Sequence, residues 1–205
     1  AYSAQMGFGL PSIGGKDSMS GTFGDIDVPP TLVSFAVDVA KSSDIVTPEL
    51  KAEGNVLLQV SLEKDAFDVP VYASVMNTYD AVLAAMKAGQ IVSAYSVDTK
   101  GVAVAMSKMA FGNGLGVSVN SELSLTDLFK GAIGDLVVEC TPAGADEVVK
   151  ATAAKVLGVV SDDAAFTYRN TTITMKEALK AWTGTLEKVF PTRVTTDTDV
   201  VGKNQ

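Results

Sequence analysis

Apolar and polar residues along this chain recur at two different spacings, and these spacings predict an ordered series of strands and helices. Aliphatic and β-branched residues in short runs or at a spacing of two favour strands, whereas apolar residues at i, i+3 and i+4 favour helices. The predicted strands cover residues 31–40, 55–62, 91–97, 114–119, 135–140, 156–161, 165–168 and 171–174. The predicted helices cover residues 76–87, 101–111, 145–154 and 176–189.

The order of these elements predicts the fold class. Residues 91–161 follow the order β-α-β-β-α-β, which is the split arrangement of ferredoxin-like sheets. We therefore predict an α+β fold, a three-layer α/β/α arrangement in which a mixed sheet with further strands is covered by helices. The predicted divisions are an arm at 1–30, a main domain at 31–193 and a polar tail at 194–205. Gly89 is the predicted stop of the 76–87 helix.

Composition narrows the possible functions. The 205 residues carry a net charge of −8, which disfavours binding to nucleic-acid backbones. The apolar runs are far shorter than the roughly 20 residues that a spanning helix needs, so no membrane partner is expected. A single cysteine, Cys140, fits a reducing, cytoplasmic compartment, and the absence of histidine removes histidine-based catalysis from this stretch.

The motif with the most chemical content lies between residues 13 and 21. Gly14 and Gly15 let backbone amides approach an anion closely, and the compact charge of Lys16 suits a phosphate. Ser18 and Ser20 add hydroxyl donors, and Asp17 offers the hard oxygen ligand that Mg²⁺ accepts beside nucleotide phosphates. The same residue types also form ordinary turns, so a phosphate loop and a solvated turn both remain open on composition alone.

Other distinctive side chains favour structural roles. We expect Cys140 to be a buried cysteine and Met106 and Met109 to fill the core. Trp182 and Phe190 are expected to pack in the core or at its edge. The residues before Pro11 look like the end of some element, so the chain is expected to begin inside a longer polypeptide.

Three blocks of sequence resemble one known family. They are Pro11-Ser12-Ile13-Gly14-Gly15-Lys16-Asp17-Ser18-Met19-Ser20-Gly21 with Asp27-Val28-Pro29-Pro30-Thr31-Leu32-Val33, then Lys108-Met109-Ala110-Phe111-Gly112-Asn113, then Leu186-Glu187-Lys188-Val189-Phe190-Pro191-Thr192. In this order they resemble the second synthetase half of the large phosphoribosylformylglycinamidine synthases. Thr99-Lys100-Gly101 departs from the glycine-richer form expected at that helix start.

The resemblance implies a fold, a reaction and a site. The fold would be that of the C-terminal domain of aminoimidazole ribonucleotide synthetase, preceded by the tail of an N-terminal synthetase domain. The reaction would be the ATP-dependent conversion of formylglycinamide ribonucleotide to its amidine, with glutamine as the nitrogen donor. Asp17 would be a Mg²⁺ ligand, and Gly15, Lys16, Ser18 and Ser20 would bind ATP or ADP. No catalytic residue is expected within these 205 residues.

The same resemblance implies partners within one polypeptide. A first synthetase repeat and a glutaminase domain would lie outside this chain, which alone would be inactive. Two alternatives remain: a stand-alone nucleotide-binding or interaction domain with a ferredoxin-like sheet, and another enzyme of the same superfamily, such as selenophosphate synthetase or a thiamin-phosphate kinase. The neighbouring gene sequence would distinguish the synthase interpretation from these two alternatives.

Overall fold

A mixed seven-stranded sheet forms the centre of the molecule in the computed structural model, which describes residues 2–191. The strands are β5 (Val56–Val60), β6 (Ile91–Ser96), β7 (Gly116–Val119), β8 (Leu136–Cys140), β9 (Lys155–Ser161), β10 (Ala165–Tyr168) and β11 (Thr171–Thr174). They lie in the order β11-β10-β7-β9-β5-β8-β6, and every neighbouring pair is antiparallel except the parallel pair β10–β7.

Helices cover both faces of this sheet and create the predicted three layers. The helices of the main body are α2 (Tyr72–Lys87), α3 (Gly101–Asn113), α4 (Leu125–Phe129), α5 (Ala145–Thr152) and α6 (Met175–Gly184). Residues of α2 and α5 share one buried cluster with Leu58 and Val138. Residues of α3 and α4 share a second cluster with Leu57 and Val137. Because adjacent strand residues point to opposite faces, the neighbours Leu57 and Leu58 enter different clusters.

The split β-α-β-β-α-β core is present, but it starts one strand earlier than the sequence pattern predicts. It consists of β5-α2-β6-β8-α5-β9, whose spatial order β9-β5-β8-β6 is antiparallel throughout. The prediction that α3 and β7 belong to the split core is wrong. They form an insertion between β6 and β8, and β7 extends the sheet beyond β9. The error arose because local periodicity identifies a strand without identifying its partner.

Close backbone packing fixes the start of α3, which lines one of the sites described below. Gly101 has φ +79°, and a Cβ there would lie 2.6 Å from the carbonyl oxygen of Leu128. A larger residue would therefore clash with the backbone that ends α4. The helix ends at Gly114 with φ 70°, in the left-handed conformation common after helices.

The N-terminal part of the chain forms a separate β arm, which we define as residues 12–35. Its strands are β1 (Gly14–Ser18), β2 (Gly21–Phe23), β3 (Ile26–Val28) and β4 (Thr31–Phe35). β1 pairs with β4 and β2 pairs with β3, both antiparallel. Residues 14–28 of the predicted arm therefore contain three strands, and the predicted strand at 31–40 ends at Phe35 and lies outside the main sheet. The domain boundaries themselves stay predictions.

A short helix at the start of the chain connects the arm to the body. Helix α1 (Tyr2–Phe8) packs on α2, with the rings of Phe8 and Tyr72 edge to face at 5.0 Å between centroids. A Cβ on Gly7 would lie 2.3 Å from the Tyr72 ring, so only glycine allows this approach. At the base of the arm, the backbone N–H of Ser12 donates to the Gln5 side chain over 2.8 Å.

The last helix differs from its prediction at both ends. It starts at Met175 because Thr174 and Glu177 form a reciprocal capping box, and it ends at Gly184 instead of residue 189. A second capping box, between Ser124 and Asp127, opens α4, which the sequence analysis missed. The predicted helix at 76–87 begins earlier, at Tyr72, while its stop at Gly89 (φ 70°) is confirmed. The predicted polar tail lies outside the described residues.

Candidate functional site

The Gly-Gly-Lys-Asp-Ser motif lies on β1 of the arm as an exposed strand. Gly15, Lys16 and Asp17 are exposed, and Ser18 is half-buried where the strand ends. Ser20 follows in the connection to β2 and is also exposed. All five predicted residues therefore lie within one continuous, solvent-accessible segment.

The strand geometry separates the two charged groups of the motif. Lys16 pairs with Val33 and Asp17 pairs with Leu32, so successive side chains leave opposite faces of the ladder. Lys16 and Ser18 share one face, while Asp17 points from the other. A ligand bound on one face would therefore contact Lys16 and Ser18, and a ligand bound on the other face would contact Asp17.

Gly15 has a structural reason to be glycine. It lies opposite Ser34, and a Cβ on Gly15 would lie 2.7 Å from the carbonyl oxygen of Val33. Gly14, in contrast, has open space around the position of its missing Cβ. The ladder thus requires glycine at position 15 but not at position 14.

The arm exposes apolar side chains beside the motif. Leu32 is 84% exposed and Met19 is 87% exposed, and the ring of Phe23 is exposed as well. An isolated two-stranded ladder is marginally stable in water. The arm therefore presents exposed apolar surface beside the motif.

A metal ion at this position would need ligands from elsewhere. Within residues 2–191, no group of three or more Asp, Glu, Cys or His side chains is arranged to hold a metal ion. Mg²⁺ is often held by one or two carboxylates with substrate phosphates completing its shell. The exposed carboxylate of Asp17 fits that limited role, with phosphate oxygens and water supplying the other ligands.

The remaining predicted residues fall into two groups. Cys140, Met106 and Met109 are buried as expected, with no more than 2% of their surface accessible. Trp182 is 50% exposed and its ring lies 6.4 Å from that of Phe111, which agrees with packing at the edge of the core. Phe190 is 80% exposed and does not pack in the core.

A cluster that the sequence analysis did not identify surrounds Lys108 on α3. Its Nζ lies 5.0 Å from the ring centroid of Trp182 and 5.5 Å from that of Tyr95. The Asp98 carboxylate is 3.6 Å from the same nitrogen. The hydrogen bond from the Lys100 backbone N–H, together with Lys108, lowers the pKa of Asp98. No local sequence signal brings these residues together, because Trp182 belongs to a different helix.

The fold defines the class of protein that this chain resembles. Its three-layer arrangement around a mixed sheet is the fold of the synthetase domains of PurL and of aminoimidazole ribonucleotide synthetase. A scan of the sequence against models of protein families finds no match.

Within residues 2–191, no helix is both long and apolar enough to cross a membrane.

Several solved structures share this fold. PurL from Thermotoga maritima in complex with AMPPCP superimposes with a TM-score of 0.61 at 17% identity, over 73% of this chain and 29% of that one. PurL from the same organism in complex with FGAR gives 0.55 at 14% identity, over 73% and 30%. PurLQS from Thermotoga maritima gives 0.56 at 16% identity, over 72% and 29%. This chain thus spans less than a third of the length of these structures.

Proposed function

We propose that this chain is part of a phosphoribosylformylglycinamidine synthase, the ligase that converts formylglycinamide ribonucleotide to its amidine at the expense of ATP. The observation that carries the proposal is the shared fold over 73% of the chain. The solved relatives include PurL complexes with ATP, ADP and FGAR. The three sequence blocks that resemble this family occur in the expected order and support the same assignment.

The reaction divides into two steps. The amide oxygen of the substrate attacks the γ-phosphorus of ATP, and ADP leaves. Ammonia then adds to the activated carbon, the C–O bond breaks, and inorganic phosphate departs with the former amide oxygen. Glutamine hydrolysis would supply the ammonia from a glutaminase domain outside this chain. Together with a first synthetase repeat, that domain is the proposed partner, and the proposed compartment is the cytoplasm.

Within this reaction, the arm would contribute to a nucleotide site. Lys16 and Ser18 would donate to phosphate oxygens from one face of β1, with Ser20 completing the donors beyond the strand. Bound Mg²⁺ would neutralise phosphate charge, and Asp17 would supply one of its ligands. Since Lys16 and Asp17 leave opposite faces of the ladder, both side chains would be reached from the outer edge of β1.

That outer edge has suitable chemistry. A strand in a two-stranded ladder leaves alternate backbone N–H groups unpaired along its free edge. Gly14 has no side chain to shield the edge, and open space surrounds it. Backbone donors could therefore approach phosphate oxygens closely at this point. The proposed site is consequently an edge of the arm, completed by the domain that packs against it.

The test uses the full-length protein that contains this chain. Purified protein should form ADP, phosphate and the amidine product in equal amounts when given ATP, formylglycinamide ribonucleotide and either glutamine or ammonia. Mass spectrometry would measure the amidine, and a coupled assay would measure the ADP. ATP turnover that does not depend on the ribonucleotide would refute the proposal and favour a different nucleotide-binding protein.

A further inference from the structure

A groove lies between α3 and α6 and has no role in the function proposed above. It consists of two neighbouring cavities of about 530 Å³ and about 750 Å³. Val104, Ser107 and Ala178 line both of them, so the two cavities lie side by side. We call this feature the α3–α6 groove.

One end of the groove is mostly apolar, and the guanidinium of Arg169, which also lines it, donates to the backbone carbonyls of Ser121 and Leu123. Its lining comes from α3, α4 and the β10–β11 hairpin, and it includes Met106, Leu125, Leu128, Phe129, Phe166 and Ile173. Phe129 is 57% exposed and Ile173 is 47% exposed, so uncovered apolar surface faces this space. A cavity of this size and lining is typical of sites for small organic molecules.

The other end of the groove is cationic and aromatic. Lys108 and Lys100 line it together with the rings of Trp182 and Phe111. The Lys108 side chain is only 21% exposed, so its charge is partly withdrawn from water. A lysine in this position interacts more strongly with an anion than one extended into solvent. The positive end is a local feature, since the whole chain carries a net charge of −8.

We propose that the α3–α6 groove binds a small amphipathic organic anion, such as an aromatic carboxylate or sulfonate. The apolar body would lie between α3, Phe129 and Phe166, and the acid group would contact Lys108. Asp98 limits the affinity, because its carboxylate lies 3.6 Å from the Lys108 ammonium and competes for the same charge. Two of the blocks that define the sequence resemblance meet here, since Lys108 and Leu186 line the same cavity.

The arrangement supplies its own optical reporter. Trp182 is the only tryptophan in the 205 residues, and its ring lies beside Lys108. The probe is 8-anilinonaphthalene-1-sulfonate, whose absorption overlaps tryptophan emission. Titration into the 205-residue chain should quench Trp182 in a saturable manner, with one dye bound per chain. The uncharged relative N-phenyl-1-naphthylamine should bind about tenfold more weakly, because it cannot pair with Lys108.

Matched variants test whether sulfonate binding depends on the charge of Lys108. Lys108→Met should weaken sulfonate binding about tenfold, while Asp98→Asn should strengthen it several-fold. Lys150→Met removes an exposed lysine from α5, on the other side of the sheet, and should leave binding unchanged. Circular dichroism and thermal melting would establish that each variant folds. If Lys108→Met is unstable, Lys108→Gln provides the same test.

Three results would overturn the proposal. One is quenching that does not saturate or that exceeds one dye per chain. Another is an equal loss of affinity in Lys108→Met and Lys150→Met, which would indicate general attraction to a dye. The third is binding to the 205-residue chain but not to the full-length protein, which would identify the groove as a surface covered by another part of the polypeptide. None of these results depends on the synthase assay.

Discussion

The carboxylate of Glu139 accepts a hydrogen bond of 2.7 Å from the side-chain amide of Asn55, although 84 positions separate the two residues. Glu139 is completely buried on β8, between β5 and β6 of the sheet. Its two oxygens also accept from the backbone N–H groups of Lys51 and Ala52 at 2.9–3.2 Å. The buried carboxylate on β8 therefore holds the segment that precedes β5 in place. Without it, the N–H groups of Lys51, Ala52 and Asn55 would lose this acceptor.

Glu139→Gln should destabilise the fold. The amide keeps one acceptor oxygen but turns a donor toward the backbone N–H groups, which leaves a buried donor unpaired and costs about 1–3 kcal/mol. Denaturant unfolding followed by circular dichroism would measure the change. Glu147→Gln is the matched control, because Glu147 is 63% exposed on α5 and its loss should change stability by less than about 0.5 kcal/mol. Equal effects would contradict this account.

Gly15→Ala should open the ladder of the arm, whereas Gly14→Ala should not. The added Cβ at position 15 would lie 2.7 Å from the Val33 carbonyl oxygen, but position 14 has open space. The expected cost at position 15 is about 1–3 kcal/mol. Hydrogen exchange of backbone amides in β1 and β4 would report it as faster exchange in Gly15→Ala alone. Similar exchange in both variants would exclude a specific packing role for Gly15.

Asp17→Asn should remove bound metal without unfolding the arm. Asparagine preserves a turn or strand role but loses the ligand charge, so retained Mg²⁺ and nucleotide in the full-length protein should fall roughly tenfold. Metal analysis, nucleotide extraction and melting temperature would be measured together. Asp25→Asn is the control, as it alters another exposed carboxylate of the same arm.

The possible results for Asp17→Asn have distinct meanings. Unchanged metal and nucleotide content would show that Asp17 is not a ligand. A loss accompanied by a lower melting temperature would indicate a structural nucleotide, whereas a loss of turnover at unchanged melting temperature would indicate a catalytic one.

The 205-residue chain alone should form no amidine. The chain contains no histidine, and Cys140 is fully buried, so it has no accessible thiol to hydrolyse glutamine. The ammonia-dependent reaction would need a substrate pocket completed by the proposed first synthetase repeat. Incubation with ATP, ammonia and substrate should give no product by mass spectrometry, while the full-length protein serves as the positive control. Product from the 205-residue chain would refute the proposal that the reaction needs domains outside this chain.

Cys140 should be unreactive in the native state. Burial, and secondarily the charge of Glu139, raises the pKa of its thiol to about 12 from an ordinary value of 9.0. At pH 8 a disulfide reagent should react on the order of 100-fold more slowly with folded than with unfolded chain, because the thiolate is scarce and inaccessible. Comparable rates would show that β8 opens readily.

The same shift predicts a dependence of stability on alkaline pH. The native state holds the thiol proton more tightly than the unfolded state, so this contribution is complete below pH 9 and is lost as the pH rises toward 12. Cys140→Ala should therefore lose stability less steeply than the unaltered chain over that interval. Identical slopes would mean that Cys140 does not contribute.

The sequence by itself determined the elements whose signals are local. The alternation at Ala165–Tyr168 and Thr171–Thr174 predicted both strands of the β10–β11 hairpin with their observed ends. The glycine at position 89 marked the end of α2, and the composition excluded a long apolar span. These features depend on side-chain spacing or backbone freedom within a few residues, which a sequence displays directly.

Only the tertiary structure decided which segments become partners. Glycine-rich residues 14–18 have low strand propensity, yet pairing with the β-branched and aromatic residues of Thr31–Phe35 makes them a strand. Likewise, β5 lies between β9 and β8, which moved the split core to a different set of helices. Lys108 has Trp182 as a neighbour only because α6 packs beside α3. Such choices depend on burial and pairing between distant segments, whose energies no local pattern contains.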